Sequence, residues 1–141
     1  MSELEMIDRS VEKAHVWLND MAEELGTDDR QFAYRALRAS LHAIRDRLPV
    51  EEAAQLAAQM PLLIRGIYYE NWRPAATPMT YRDIDSFLER VTEEGGLAGE
   101  TEASYAASAT ARVLSRHISE GEMKDVEAAF PEGLKSIVSG G

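Results

Sequence analysis

Trp17-Leu18-Asn19-Asp20-Met21-Ala22-Glu23-Glu24-Leu25-Gly26 returns, seventy positions later and without a gap, as Phe87-Leu88-Glu89-Arg90-Val91-Thr92-Glu93-Glu94-Gly95-Gly96. The same offset holds outward from this pair. Ala33, Ala36 and Ala39 meet Ala103, Ala106 and Ala109, Glu52 meets Glu122, Pro61 meets Pro131, and Ile67 meets Ile137. Met60 with Phe130 and Ile64 with Leu134 are conservative exchanges. An ungapped match that keeps both the turn glycine and the helix-start proline marks two diverged copies of one unit.

Each copy reads as helix, helix, short helix, short helix. In the first helix Leu4, Ile7, Val11, Ala14, Leu18, Met21 and Leu25 recur in steps of three and four, a stripe along one helical face that Gly26 ends. Its counterpart opens with Thr80 and Asp83 as a capping box, carries Ile84, Phe87, Leu88 and Val91, and stops at Gly95-Gly96. The second helix follows Thr27, with Tyr34, Leu37, Leu41, Ile44 and Leu48 on one side. The matching segment presents Ala103, Ala106, Ala107, Thr110, Val113 and Leu114, small enough for helices to approach closely. Ser119 with Glu122 forms a capping box for the third helix of copy two, and Pro61 and Pro131 sit in the first turns of the fourth helices. Arg73-Pro74-Ala75-Ala76-Thr77-Pro78-Met79 has two prolines and no helical period. The expected architecture is therefore all-α: a tandem repeat of two four-helix units, residues 1–72 and 80–141, joined by a linker over 73–79. Units of this size are marginal alone, so the two are expected to pack as one helical body.

Composition narrows the function classes. The chain of 141 residues has a formal charge of −10, divided evenly between its halves. That sign repels phosphate backbones and anionic membrane surfaces, and the expected partners exclude nucleic acid and membrane. Cysteine is absent, which removes disulfides, thiolate chemistry and Cys-based zinc sites. The acidic start, Met1-Ser2-Glu3-Leu4-Glu5, is unlike a secretory signal, and no apolar run approaches a membrane span. A cytoplasmic location is the expectation.

Few residue groups carry chemistry. Glu12 and His15 have the E-x-x-H spacing of di-iron bundles, but copy two places Arg82 and Asp85 there, so no metal or other cofactor is expected. Glu23-Glu24 and Glu51-Glu52 read as exposed helix ends. There is no G-x-S-x-G elbow, phosphate loop or dinucleotide fingerprint, and His15, His42 and His117 show no local association with a serine and an acid. Two surfaces stand out instead. Arg35, Arg38, His42 and Arg45 fall on one arc of the second helix, either a docking strip or a solvated face whose arginines pair with carboxylates. Tyr68, Tyr69 and Trp72 gather aromatic surface where copy one ends, suited to gluing the units or to meeting a partner.

Residues 34–74, from Tyr34-Arg35-Ala36-Leu37-Arg38 through Pro61-Leu62-Leu63-Ile64-Arg65 to Asn71-Trp72-Arg73-Pro74, resemble a prokaryotic family known as domain of unknown function 2267. Phe87-Leu88-Glu89-Arg90-Val91 resembles that family's second half, and the likeness spans about residues 15–138. The resemblance implies a small helical cytoplasmic protein and assigns no residue a role. The function expected from the residues is a non-enzymatic interaction or regulatory module, with Arg35, Arg38, His42, Arg45, Tyr69 and Trp72 as the candidate surface. The first-helix heptads also offer a route to a homodimer. The rival expectation is a small-molecule binder or enzyme with its site in the cleft between the repeats.

Overall fold

Ser2 opens the first helix by accepting a hydrogen bond from the Glu5 amide, and Gly26 closes it in the left-handed conformation, φ 67°. The Thr27 amide then reaches back to the Ala22 carbonyl at 3.0 Å, the six-residue closure that follows a glycine of this kind. Gly96 ends the fifth helix in the same way, φ 60°, with Leu97 returning to Thr92. Asp29 caps the second helix through the Phe32 amide at 3.0 Å. At the fifth helix the cap is Asp83, bonded to Ser86, rather than the expected Thr80–Asp83 box. Pro49 and Pro61 stand one position before their helices, where a missing N–H removes no bond.

The computed structural model describes residues 2–139, and over these it is all-helical. The helices are α1 (Glu3–Leu25), α2 (Arg30–Asp46), α3 (Val50–Ala58), α4 (Leu62–Tyr69), α5 (Ile84–Gly95), α6 (Glu100–His117), α7 (Glu120–Ala129) and α8 (Lys135–Val138). Short 3-10 turns cover Pro74–Ala76 and Glu132–Leu134. Among the described residues no helix is long and apolar enough to cross a membrane.

Four long helices form the centre: α2 packs on α1, α5 and α6, while α6 also packs on α1 and α5. The shorter helices close its end, with α3 on α7, α4 on α1 and α2, and α8 on α6 and α7. Close approach comes from alanine. Ala33, Ala36, Ala39 and Ala43 of α2 and Ala103, Ala106, Ala107 and Ala109 of α6 are all buried. A Cβ at Gly95 would stand 3.2 Å from that of Ala39, so α5 lies almost against the α2 backbone. Trp17, Met21, Leu37, Tyr68, Phe87 and Leu114 anchor one continuous core drawn from both ends of the chain.

One expectation changes here. Leu4, Ile7 and Val11 continue the apolar stripe of α1 but are 74%, 58% and 40% exposed, because the first turns of the helix extend beyond the four-helix centre. Residues 73–79, read as the linker, are anchored at Met79. The Met79 amide donates to the Asp46 carbonyl at 2.7 Å, the Arg47 guanidinium donates to the Met79 carbonyl, and the segment is tied to the end of α2.

Candidate functional site

The arginine arc of α2 lies mostly inside the protein. Arg35 alone is fully at the surface, its guanidinium 5.9 Å from the Phe32 ring centre. Arg38 is partly covered, bonding Glu70 at 3.0 Å and lying 3.6 Å from Glu94. His42 is 1% exposed, with Nδ1 against the Glu94 carboxylate and Nε2 2.7 Å from the Ile67 carbonyl. Arg45 is 3% exposed and donates Nε to Asp46 at 2.9 Å and Nη1 to the carbonyls of Tyr68 and Glu70 at 2.8 and 2.7 Å. Either a docking strip or a solvated face was expected here. What forms is a clamp, because α4 returns its carboxyl end onto α2 and its last carbonyls need donors.

The aromatic residues extend that clamp. Tyr68 is buried and donates its hydroxyl to the Ala53 carbonyl at 3.0 Å. Tyr69 stacks on Trp72 with ring centres 5.0 Å apart, and both pack on the core. Trp72 Nε1 is buried without a hydrogen-bond partner.

Ion pairs then bind the long helices to one another. Between α2 and α5, Asp46 meets Arg90 at 2.8 Å and His42 meets Glu94. Between α1 and α6, Asp20 meets Arg116 at 3.1 Å and Glu24 meets Arg112 at 2.6 Å. The hydrogen bond from Arg112 holds the Glu24 carboxyl below the usual carboxylate range, with the Arg116 charge adding to it against a smaller upward push from burial. At Glu94 burial pushes up, but His42, Arg38 and Arg45 together outweigh it and the carboxyl again sits low. Glu23-Glu24 is therefore only half the exposed pair the sequence suggests: Glu23 is exposed and Glu24 is largely covered.

Two hollows lie beside these contacts. A cavity of about 430 Å³ is lined by Lys13, Val16 and Trp17 of α1, Gln59, Met60 and Pro61 between α3 and α4, and His117 at the end of α6. His117 stacks on Trp17 at 4.8 Å and bonds Asp20 through Nε2 at 2.7 Å. A second hollow of about 410 Å³ is bounded by Arg45, Asp46, Asn71, Arg90, Glu93 and Glu94, where charges of both signs already pair. Glu12 and His15 do not converge with other ligands. His15 Nδ1 faces Arg30 at 3.0 Å, and among the described residues no three His, Asp or Glu side chains gather as a metal site.

A groove of about 330 Å³ was missed by sequence reasoning. Met6, Ile7 and Val11 of α1 face Leu62 and Leu63 of α4, with Glu3 and Ser10 at its edge. Met6 is 58% exposed and Leu62 62%. The signal was present: the stripe begins at Leu4, while the equivalent helix, starting near residue 84, has nothing to match its first three turns.

An all-helical fold with one core, ion-paired long helices and an uncovered apolar end defines a small helical protein. The chain belongs to the family described as uncharacterized conserved protein (DUF2267), whose family model matches residues 14–137. No protein of curated function matches it.

Proposed function

We propose that this chain is a cytoplasmic, non-enzymatic interaction module, and that its docking face is the apolar groove between the start of α1 and α4. We also propose the tandem architecture that carries it: units 1–72 and 80–141, joined by 73–79. Element positions support the repeat, since α1 and α5 end at Leu25 and Gly95, and α2 and α6 begin at Arg30 and Glu100. The ion pairs support it further, because Asp20, Glu24, His42 and Asp46 correspond at an offset of seventy to Arg90, Glu94, Arg112 and Arg116. The matched positions meet in matched pairs.

One observation carries the docking reading. Leu4, Met6, Ile7, Val11, Leu62 and Leu63 are all exposed on one end of the molecule, and clustered apolar surface of this kind marks interaction sites. The occupant we assign is an amphipathic helix with basic flanks, from another protein. Helix-in-groove recognition suits a trough between two helices. Acidic Glu3, Glu5, Asp8 and Glu12 outnumber Arg9 and Lys13 along the same turns, and the whole chain carries −10. A second copy would bring that charge against itself, whereas a basic helix is drawn in. His42 and Arg45 support the fold in this reading, and Arg35, Arg38, Tyr69 and Trp72 remain a lesser surface.

The test uses a fluorescent Leu/Lys amphipathic peptide and a Leu/Glu peptide of the same pattern, with binding read by anisotropy. Ile7→Asp combined with Leu63→Asp adds negative charge while removing the apolar contact. The Leu/Lys peptide is expected to bind wild type where the Leu/Glu control does not, and to lose at least about tenfold affinity in the variant, as burial of two such side chains implies. Equal binding by the variant overturns the proposal. So does a wild-type dimer in light scattering that the same substitutions dissociate, which would give the groove to a second copy.

A further inference from the structure

Glu52 of α3 and Glu122 of α7 stand close together where those two helices pack. Glu122 is 7% exposed, and Oε2 of each residue is buried with no hydrogen-bond partner among the described residues. Among the described residues no Lys, Arg or His forms an ion pair with either. The groups facing Glu122 are acidic: Glu52 from α3 and Asp125 from its own helix. Tyr68 of α4 also stands near, but its hydroxyl is committed to the Ala53 carbonyl. Among the described residues, no charged group of α6 or α8, which also pack on α7, bears on Glu122.

Two carboxylates cannot both keep their charge in such a place. Each loses water, each repels the other, and no cation offsets the cost. A shared proton resolves all three, since the protonated acid donates to its ionised neighbour, as in other close carboxyl pairs. The Ser119–Glu122 sequence box is consistent with this, because only half of it forms: Ser119 accepts from the Glu122 amide at 3.1 Å, but the Ser119 amide donates to Gln59 at 2.9 Å and not to the glutamate side chain.

We propose that Glu52 and Glu122 hold one proton between them and that this proton keeps α3 closed on α7, making the seam between the two ends of the chain sensitive to alkaline pH. Burial, then the bond to Glu52 and the charges of Glu52 and Asp125, push the Glu122 carboxyl up to about 8, from an ordinary 4.5. The sign follows. A carboxyl whose folded value lies above its unfolded one contributes full stability below the unfolded value and loses it as pH rises through the folded one. Glu24 and Glu94 act in the opposite direction.

The experiment compares urea unfolding of wild type, Glu122→Gln and Glu52→Gln in the full chain, between about pH 5 and pH 9. Glutamine matches the protonated acid in shape and can donate to the remaining carboxylate, so either variant can stand if the other fails to fold. Relative to a variant, the wild-type midpoint is expected to fall as pH rises, and near pH 6.5 wild-type folding takes up about one extra proton. Parallel pH dependence of wild type and both variants overturns the proposal. Millimolar Mg²⁺, Ca²⁺ or Mn²⁺ raising the wild-type midpoint near pH 9, but neither variant's, also overturns it, by showing a cation site instead of a shared proton.

Discussion

Replacing Arg45 with alanine separates a structural clamp from a docking strip. The side chain is 3% exposed and makes three hydrogen bonds, to Asp46 and to the carbonyls of Tyr68 and Glu70. Its removal leaves those carbonyls at the end of α4 without their donor and Asp46, itself 8% exposed, with Arg90 as its remaining cation. Breaking a buried ion pair costs about 3–5 kcal/mol, and because Arg90 stays 2.8 Å from Asp46 the lower end, about 3 kcal/mol, is expected. In thermal terms that is a fall of roughly 6–12 °C for a chain of this size. Arg35→Ala supplies the control: its exposed guanidinium forms no ion pair among the described residues and lies 5.9 Å from the Phe32 ring centre, so the change should stay within about 0.5 kcal/mol. Urea unfolding followed by far-ultraviolet circular dichroism reads both, and an unchanged slope certifies that stability, not compactness, has moved. If Arg45→Ala costs no more than Arg35→Ala, the arginine is solvated and the clamp does not exist.

Acid should unfold the protein through the pairs at Glu24 and Glu94, whose carboxyls sit low beside Arg112 and His42. Their contribution is complete above about pH 4.5 and disappears as pH falls through the lower folded values, and Arg112→Gln should shift the acid transition upward in a circular-dichroism titration. Gly96→Ala tests the helix-ending geometry alone, because φ is +60° and no atom lies within 4 Å of the added Cβ. A loss of about 1–2 kcal/mol in urea unfolding is expected, and no loss would show that the turn relaxes out of the left-handed conformation.

What was legible in the sequence was local. Gly26 and Gly96 end helices because a left-handed residue releases the chain after a Schellman turn, and that chemistry needs no distant neighbour. The alternation of three and four in α1 and the alanines of α2 and α6 likewise declared helices and their close faces. The burial of His42 and Arg45 was not legible, because it depends on α4 returning its end carbonyls to α2 and on Glu94 arriving from α5. Likewise, the match of Glu52 with Glu122 was visible as a repeated letter, but not that the two would face each other. The first turns of α1 misled for a geometric reason. Twenty-three residues span about 35 Å and the twelve of α5 about 18 Å, so an apolar stripe continuous in sequence runs beyond its cover.

On the proposed duplication, one pair of contacts differs in an instructive way. Between α2 and α5 the acid is Asp46 and the base Arg90; at the equivalent place between α1 and α6 the acid is Asp20 and the base Arg116. The position is retained and the sign is inverted. Suppose two copies of the first unit met in the same geometry: Asp20 would face Asp46. Two copies of the second would set Arg90 against Arg116. Like charges placed together in a partly desolvated contact cost several kcal/mol, so each like-with-like assembly is penalised while the unlike one is not. The other pairs, Glu24 with Arg112 and Glu94 with His42, keep one sign throughout and would tolerate any combination. Discrimination therefore rests on the inverted pair. A duplicated chain whose halves remained identical could as easily exchange units between molecules as close on itself, and the inversion at Asp20, Asp46, Arg90 and Arg116 gives each unit a reason to choose the other.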